Sequence, residues 1–454
     1  MNGGMMSGSW IKASLLASLA LSAAVVLSGC GTGASTTAAK PATVTAAALQ
    51  GVFVGGQQPV AGVTVQLYQA GTNGYGSAAT KLGSSVPTNS AGGFSLPSYS
   101  CAAGSQVYLV GTGGQPIAAT MSSLAVTNKN LALMVGLGTC GGSDLSTYIN
   151  VNELTTVATV WALSPFMTGI ANIGSSSTNA TGLANAFAAI NQLVVTSTGA
   201  VPGPALPAGA VFPLTEINTL ADILEQCINS GGGVAGDSSG CGNLFYLAPN
   251  AAGTVYPTDT ITAAMNIAQN PGRNVSSLNQ LRSPSPVFQP TLSVNSPPNA
   301  WTIAVTYSGG GLNAPTSIAA DAAGAVWISN SGNSSVTKLN NSGAAVSGAN
   351  GFTAGGFSSP SAIAIDANGY AWVANAGNNT VTELSPSGAA GTVYSANGLS
   401  NPGSIAIDGS GNAWIANTGA STISAFTSSG SALTGSPFPG AGTSAPVSVA
   451  ITPK

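Results

Sequence analysis

The stretch DANGYAWVANAGNNTVTEL, residues 366–384, carries the pattern that decides the fold. It reads as two short strands joined by an Asn/Gly turn, and it has two counterparts: DAAGAVWISNSGNSSVTKL from Asp321 and DGSGNAWIANTGASTISAF from Asp408. Aligned on Pro315, Pro360, Pro402 and Pro446, the units are spaced 45, 42 and 44 residues apart. The same columns then hold Gly324/Gly369/Gly411, Trp327/Trp372/Trp414, Asn330/Asn375/Asn417 and Gly332/Gly377/Gly419. Each unit closes on Ser-Gly, at Gly343, Gly388 and Gly430. A fixed period of this length marks a stacked architecture.

One unit can be read strand by strand. SAIAID is an apolar strand with Ile363 and Ile365 on one face. D-x-x-G is a tight reversal, in which Asp366 (like Asp321 and Asp408) bonds the turn backbone and Gly takes a positive φ. AWVAN is a second strand with Trp as its large packing residue, N-x-G the next turn, TVTEL a third strand and AGTVYS a fourth. Four strands in each unit make a propeller blade. Residues 288–454 resemble NHL-type repeats and the related streptogramin-lyase-like propellers. The recurring Trp and Asn are expected to serve packing and turn geometry, the alternative being that the turn face binds a ligand. Three full units fall short of the roughly four blades that closure needs. WTIAVTYS (301–308), with TLSV (291–294) beside it, reads as the last strand of a preceding blade, and APVSVAITP (445–453) as the first of a following one. Either these ends join in a partial fourth blade, or the array is open and its edges invite a homodimer.

Composition narrows the chemistry. Of 454 residues, 8 are Lys or Arg and 11 Asp or Glu, and the net charge is −3. That leaves no basic patch to neutralise phosphates, so no nucleic-acid partner is expected. There is no His. A Ser-His-Asp triad, a Cys-His pair and a His-ligated zinc are therefore excluded, and no metal site or cofactor is expected. The streptogramin-lyase resemblance implies a catalytic His that has no counterpart here.

Residues 1–29 pair a lone Lys12 with the apolar run Ala13–Ser28, an export signal. The run ends in LSGC, which resembles the bacterial lipobox. That resemblance implies cleavage before Cys30, lipid on its sulfur, and a membrane-anchored protein at the outer membrane or cell surface, or facing the periplasm. Four cysteines remain, an even number that reads as disulfides in an exported chain. Cys227 and Cys241 flank a flexible Gly/Ser loop that brings them together, which leaves Cys101 with Cys140.

Residues 30–47 read as a flexible tether. Residues 48–138 alternate as strands, as in GVTVQLY after the Pro/Gly turn QQPVAG. Through Pro59, Gly62, Val63, Val65 and Leu67, then Asn89, Gly92, Phe94 and Leu96, this stretch resembles the carboxypeptidase-regulatory-like (prealbumin-like) β-sandwich, a module that is usually non-catalytic. Residues 139–287 shift to helical periodicity at 152–166, 182–195, 213–229 and 258–271. In the third window Ile217, Leu220, Leu224, Cys227 and Ile228 share a face. Glu153 is expected in the first turn of a helix, where the dipole favours an acid.

The expected architecture is thus multidomain and mainly β, with an N-terminal β-sandwich, a small helical middle domain and a partial propeller of about three to four blades. The expected function is that of a lipid-anchored, non-enzymatic surface protein whose propeller binds a protein or glycan. A lyase-like propeller enzyme and a purely structural envelope component are the alternatives.

Overall fold

The computed structural model describes residues 42–116, 127–142, 145–439 and 444–451. Its first part holds β1 (Thr43–Ala46), β2 (Leu49–Gly55), β3 (Gln58–Ala61), β4 (Thr64–Gln69), β5 (Thr80–Pro87), β6 (Gly93–Leu96), β7 (Tyr99–Ala102), β8 (Gln106–Thr112), β9 (Gln115–Pro116), β10 (Ala132–Thr139) and β11 (Tyr148–Val151). One sheet runs β10-β8-β4-β5 and a second β11-β2-β3-β9 with β6 beside β2, while β1 pairs with β7. The central strands are covered on both faces rather than alternating: Val65 and Leu67 of β4 and Val107 and Leu109 of β8 are buried, and so are their neighbours Gln66, Tyr68, Tyr108 and Val110.

Two local readings are corrected here. The end of the expected tether, Thr43–Ala46, is a strand, antiparallel to β7 and in register from Thr43↔Ala102 to Ala46↔Tyr99. QQPVAG is largely a strand rather than a turn. The reversal lies one step earlier, at Gly56 and Gln57 with φ of 54° and 67°, as a two-residue hairpin requires. Pro59 is tolerated because β3 is a short strand with few ladder bonds to lose.

The helices follow as α1 (Glu153–Leu163), then a small hairpin of β12 (Met167–Gly169) and β13 (Asn172–Ile173), then α2 (Ala180–Leu193), α3 (Leu214–Ile228), α4 (Gly240–Leu247), α5 (Thr260–Gln269) and α6 (Val275–Asn279). The four windows read from periodicity are α1, α2, α3 and α5. The predicted face of α3, from Ile217 to Ile228, is buried. Helix α4 begins where the Cys227–Cys241 loop ends, outside the four periodic windows; its start is fixed by Ser239, whose hydroxyl accepts from the Gly242 N–H.

The helices do not make a separate domain. One continuous core runs from Ala46 to Trp301. The cause is the outer edge of β10. Its N–H groups at Ala132, Met134 and Gly136 donate to the hydroxyls of Thr260, Thr156 and Thr159, at 2.9, 3.0 and 2.9 Å. Helices α1 and α5 thereby satisfy a sheet edge that would otherwise be open. The expected boundary between residues 138 and 139 cuts this strand.

Disulfides Cys101–Cys140 and Cys227–Cys241 are both present, as paired from the sequence. The second closes a loop of separation 14 between α3 and α4. Replacing both of its cysteines with serine should cost about 3 kcal/mol of unfolding free energy, read from urea titrations; a loss under about 1 kcal/mol would count against the loop-closure argument.

The repeat region forms three antiparallel sheets. Blade 1 has β14 (Pro315–Ala320), β15 (Val326–Asn330) and β16 (Ser335–Leu339), with Phe352 bridging to Val336 in the fourth-strand position. Blade 2 has β17 (Pro360–Ile365), β18 (Ala371–Asn375), β19 (Thr380–Leu384) and β20 (Ala390–Tyr394), and blade 3 has β21 (Pro402–Ile407), β22 (Ala413–Asn417), β23 (Thr422–Phe426) and β24 (Phe438–Pro439). Adjacent blades share two cores, one joining Trp327 and Val336 to Ile363, the other joining Trp372 and Val381 to Ile405.

The preceding segment departs from the sequence reading. Residues 301–307 belong to the first core: Trp301 is buried there, its carbonyl accepts from the Trp161 indole, and Thr306 bridges Val211. The TLSV stretch packs on α3 and α6 through Leu292 and Asn279. Among the described residues, 301–308 and 445–451 do not pair with each other.

Candidate functional site

The recurring columns of the propeller are consumed inside the blades. Each turn aspartate does two jobs. One carboxylate oxygen accepts the N–H groups two and four residues on: Ala323 and Ala325 for Asp321, Asn368 and Tyr370 for Asp366, Ser410 and Asn412 for Asp408. The other accepts the indole N–H of the blade's own tryptophan, at 3.2 Å for Trp327, 3.4 Å for Trp372 and 2.9 Å for Trp414. Gly324, Gly369 and Gly411 adopt φ of 82–83°, as the D-x-x-G reading requires.

Burial alone would raise the Asp408 carboxyl. The bonds from the Trp414 indole, the Asn412 side chain and the turn backbone outweigh it and hold the pKa at about 2. Asp321 is likewise held below its usual range, against the opposing pull of burial, by Trp327, the Ala325 N–H and Lys338. Lys338 lies 3.3 Å from Asp321 and 4.4 Å from the centre of the Trp327 ring. These acids stay ionised and bonded, which suits clamps rather than proton donors.

The asparagines are buried, not displayed. Asn330 donates to Ser335 and Thr337, Asn375 to Thr380 and Thr382, and Asn417 to Thr422 and Ser424, all within 2.7–3.2 Å. They pin the second strand to the third. N-x-G opens the turn, which runs over residues 331–334, 376–379 and 418–421. The positive φ falls two residues later, at Ser334, Asn379 and Ser421, and Gly332, Gly377 and Gly419 are needed because a Cβ would come within 2.2–2.7 Å of a neighbouring side chain.

One column escaped sequence reading. Tyr307, Phe352, Tyr394 and Phe438 recur at the same 45-, 42- and 44-residue spacings as the prolines. Tyr394 and Phe438 stack on Trp372 and Trp414 at 5.4 and 5.6 Å, and Phe352 lies tilted against Trp327 at 5.9 Å. The Ser-Gly turn of the following blade lies on the aromatic before it. A Cβ on Gly343, Gly388 or Gly430 would come 2.0–2.1 Å from Tyr307, Phe352 or Tyr394. Tyr307 thus fills a blade's aromatic place although its strand does not. The equal spacing was the available signal, hidden because Tyr and Phe alternate.

Outside the repeats, buried carboxylates gather around the β2–β3 turn. Glu153 is the first residue of α1, as expected, but it is wholly buried instead of solvated, and the Gly56 N–H donates to it at 2.8 Å. Burial, then the nearby Glu225 and Asp222, raise its pKa to about 8 against the lowering effect of its backbone hydrogen bonds. Asp222, also buried, accepts the Val287 and Phe288 N–H groups and is raised to about 6, chiefly by burial. Neither acid lines either of two grooves formed by the described residues. One groove, of about 210 Å³, lies between α1, α2 and residues 303–307 and is lined by Trp161, Gln192, Val305 and Tyr307. Another, of about 320 Å³, lies on blade 1. Among the described residues no group of three or more acids, cysteines or histidines is placed to hold a metal ion. Cys30 lies outside the described residues, and no described helix is long and apolar enough to cross a membrane.

No family model matches the sequence, and no curated protein matches it either. Solved structures do. An inactive virginiamycin B lyase from Staphylococcus aureus with quinupristin is 19% identical, over 26% of this chain and 40% of that one, with a TM-score of 0.24. A streptogramin B lyase is 21% identical over 28% and 40%, with a TM-score of 0.23. Kuenenia stuttgartiensis hydrazine synthase is 19% identical over 32% and 40%, with a TM-score of 0.26. The chain spans about two fifths of the length of these three structures.

Proposed function

We propose that this chain is an exported, lipid-anchored, non-enzymatic protein, tethered through Cys30, whose propeller serves as a binding module for a protein or glycan partner at the cell surface. The observation that carries the non-enzymatic part is the fate of the recurring polar residues. Asp321, Asp366 and Asp408 are spent on turn N–H groups and indoles, and Asn330, Asn375 and Asn417 on buried hydroxyls. A chain without His has few other acid–base groups to offer. The export part is supported by the signal-like N-terminus and by two disulfides, which persist in oxidising compartments.

The test is made on cells. Labelled palmitate should enter the wild-type protein and not a Cys30→Ala variant, and protease added to intact cells should digest only the anchored form. Absence of label from both proteins would remove the anchor. Protection until the cells are permeabilised would remove the surface placement and turn the partner search to peptidoglycan and periplasmic proteins.

A further inference from the structure

The groove of about 210 Å³ beside Tyr307 combines an apolar wall with a buried amide that the protein leaves partly unused. Residues 301–307 run as an extended segment, held to Val211 by two backbone bonds of Thr306 at 2.8 and 3.0 Å. Thr302, Ala304 and Thr306 are exposed, so Ile303, Val305 and Tyr307 turn toward α1 and α2. Trp161 and Leu193 form the facing wall. Gln192 of α2 is 3% exposed and lines the same groove. Its Oε1 accepts from the Tyr307 hydroxyl, and its two amide N–H bonds find no acceptor among the described residues.

The two aromatics are fixed before any ligand arrives. The Trp161 indole donates to the Trp301 carbonyl at 3.0 Å, and Gly343 lies so close to the Tyr307 ring that a Cβ there would come within 2.1 Å. Burial raises the Tyr307 pKa against the opposing bond to Gln192, so the group stays a phenol, with lone-pair capacity left to accept.

This chemistry selects an occupant. No lining residue is charged, so a carboxylate or phosphate would be desolvated without a counter-charge. A purely apolar group would strand the Gln192 N–H bonds, which costs the desolvation of an unmade hydrogen bond. The occupant must therefore be neutral, bring an oxygen acceptor for Gln192 and a donor for Tyr307, and lay an apolar face on the wall. The volume is below the roughly 300–1,000 Å³ of drug-sized sites, which suits one ring and is too short for an extended peptide. Neighbouring hydroxyls on a pyranose ring each accept and donate, and the C–H groups of the ring suit the wall.

We infer that this groove binds one neutral pyranose residue of a glycan. The inference narrows the proposed partner and rests on its glycan reading, but it puts the contact at the helices beside Tyr307 rather than on the blade turns.

The test is a ligand-observed NMR titration of the purified full chain in a detergent without a sugar headgroup. The probes are the methyl glycosides of glucose, galactose, mannose and N-acetylglucosamine, with N-acetyl-leucinamide as a peptide-like comparison. At least one glycoside should saturate with a dissociation constant on the order of 1 mM, the affinity of a ligand with few atoms, and bind more tightly than the peptide probe. Gln192→Met keeps the length, removes the amide and should weaken that glycoside roughly tenfold. Ala189→Phe fills the groove from α2 without touching either hydrogen-bonding group and should abolish saturation. The inference is overturned if no glycoside saturates, or if N-acetyl-leucinamide binds as tightly as the best of them. It is also overturned if saturation survives Ala189→Phe or is unchanged in Gln192→Met, a result that would keep a glycan partner and remove this site. Neither the anchor nor surface placement enters these measurements, so their failure leaves the palmitate and protease results standing.

Discussion

Denaturant titrations are expected to show a less stable protein at about pH 8 than near pH 5, with Glu153 as the main cause. In the unfolded chain this carboxyl titrates near its ordinary value of 4.5, and in the folded protein burial raises it to about 8. Between those values the folded form holds a proton that the unfolded form has released. The stability this represents is complete below the unfolded value and is lost as pH rises through the folded one. At about 1.4 kcal/mol for each pH unit, the loss across the window is on the order of 5 kcal/mol. Asp222, raised from 3.8 to about 6, adds a smaller loss of the same sign at lower pH. Glu153→Gln keeps an oxygen for the Gly56 N–H and carries no proton to lose. It should match the wild type near pH 5 and exceed it by several kcal/mol at about pH 8. A wild-type profile that is flat or rising over this range would refute the assignment.

The second large effect lies in the repeat. Trp372 is fully buried, stacked on Tyr394 with an interplanar angle of 7°, bonded to Asp366, and part of the core shared with Ile405 of the next blade. Trp372→Ala should cost about 3–5 kcal/mol, through lost burial and the cavity left behind. It also leaves Asp366 without its indole donor. Trp414 occupies the same column in blade 3 but is only partly buried, so Trp414→Ala should cost distinctly less. Urea unfolding of the two variants checks the ranking. Equal losses would mean that burial against the following blade contributes little at this column.

The repeat was legible because its turns and packing residues are fixed by local geometry. A D-x-x-G reversal needs its aspartate and glycine wherever it occurs, and an indole of constant size fills a constant space. The helices were legible from the spacing of Ile217, Leu220 and Leu224. What local pattern could not show was where surfaces meet. Thr156, Thr159 and Thr260 look like ordinary polar residues of a helix, yet they bond β10 and merge two expected domains into one core. Glu153 looked like a first-turn acid, and nothing beside it in sequence announces that the Gly56 turn, 97 residues earlier, buries it. The blade asparagines were read as turn formers because their hydroxyl partners lie across a strand pair, five and seven residues on.

The threonines along β10 also set an order of events for a chain made from its N-terminus. Ala132 waits for a hydroxyl 128 residues downstream. Until Thr260 has emerged and α5 has docked, the strand ends in free N–H groups that any other extended segment can take up. Contacts so distant in sequence form slowly, and the interval is one in which a nascent chain is open to wrong pairing. A piece cut at residue 138 would remain in that state permanently, so the first sheet is a poor unit for grafting or separate expression, whereas a fragment that runs through Trp301 carries both the edge protection from α1 and α5 and the end of the core.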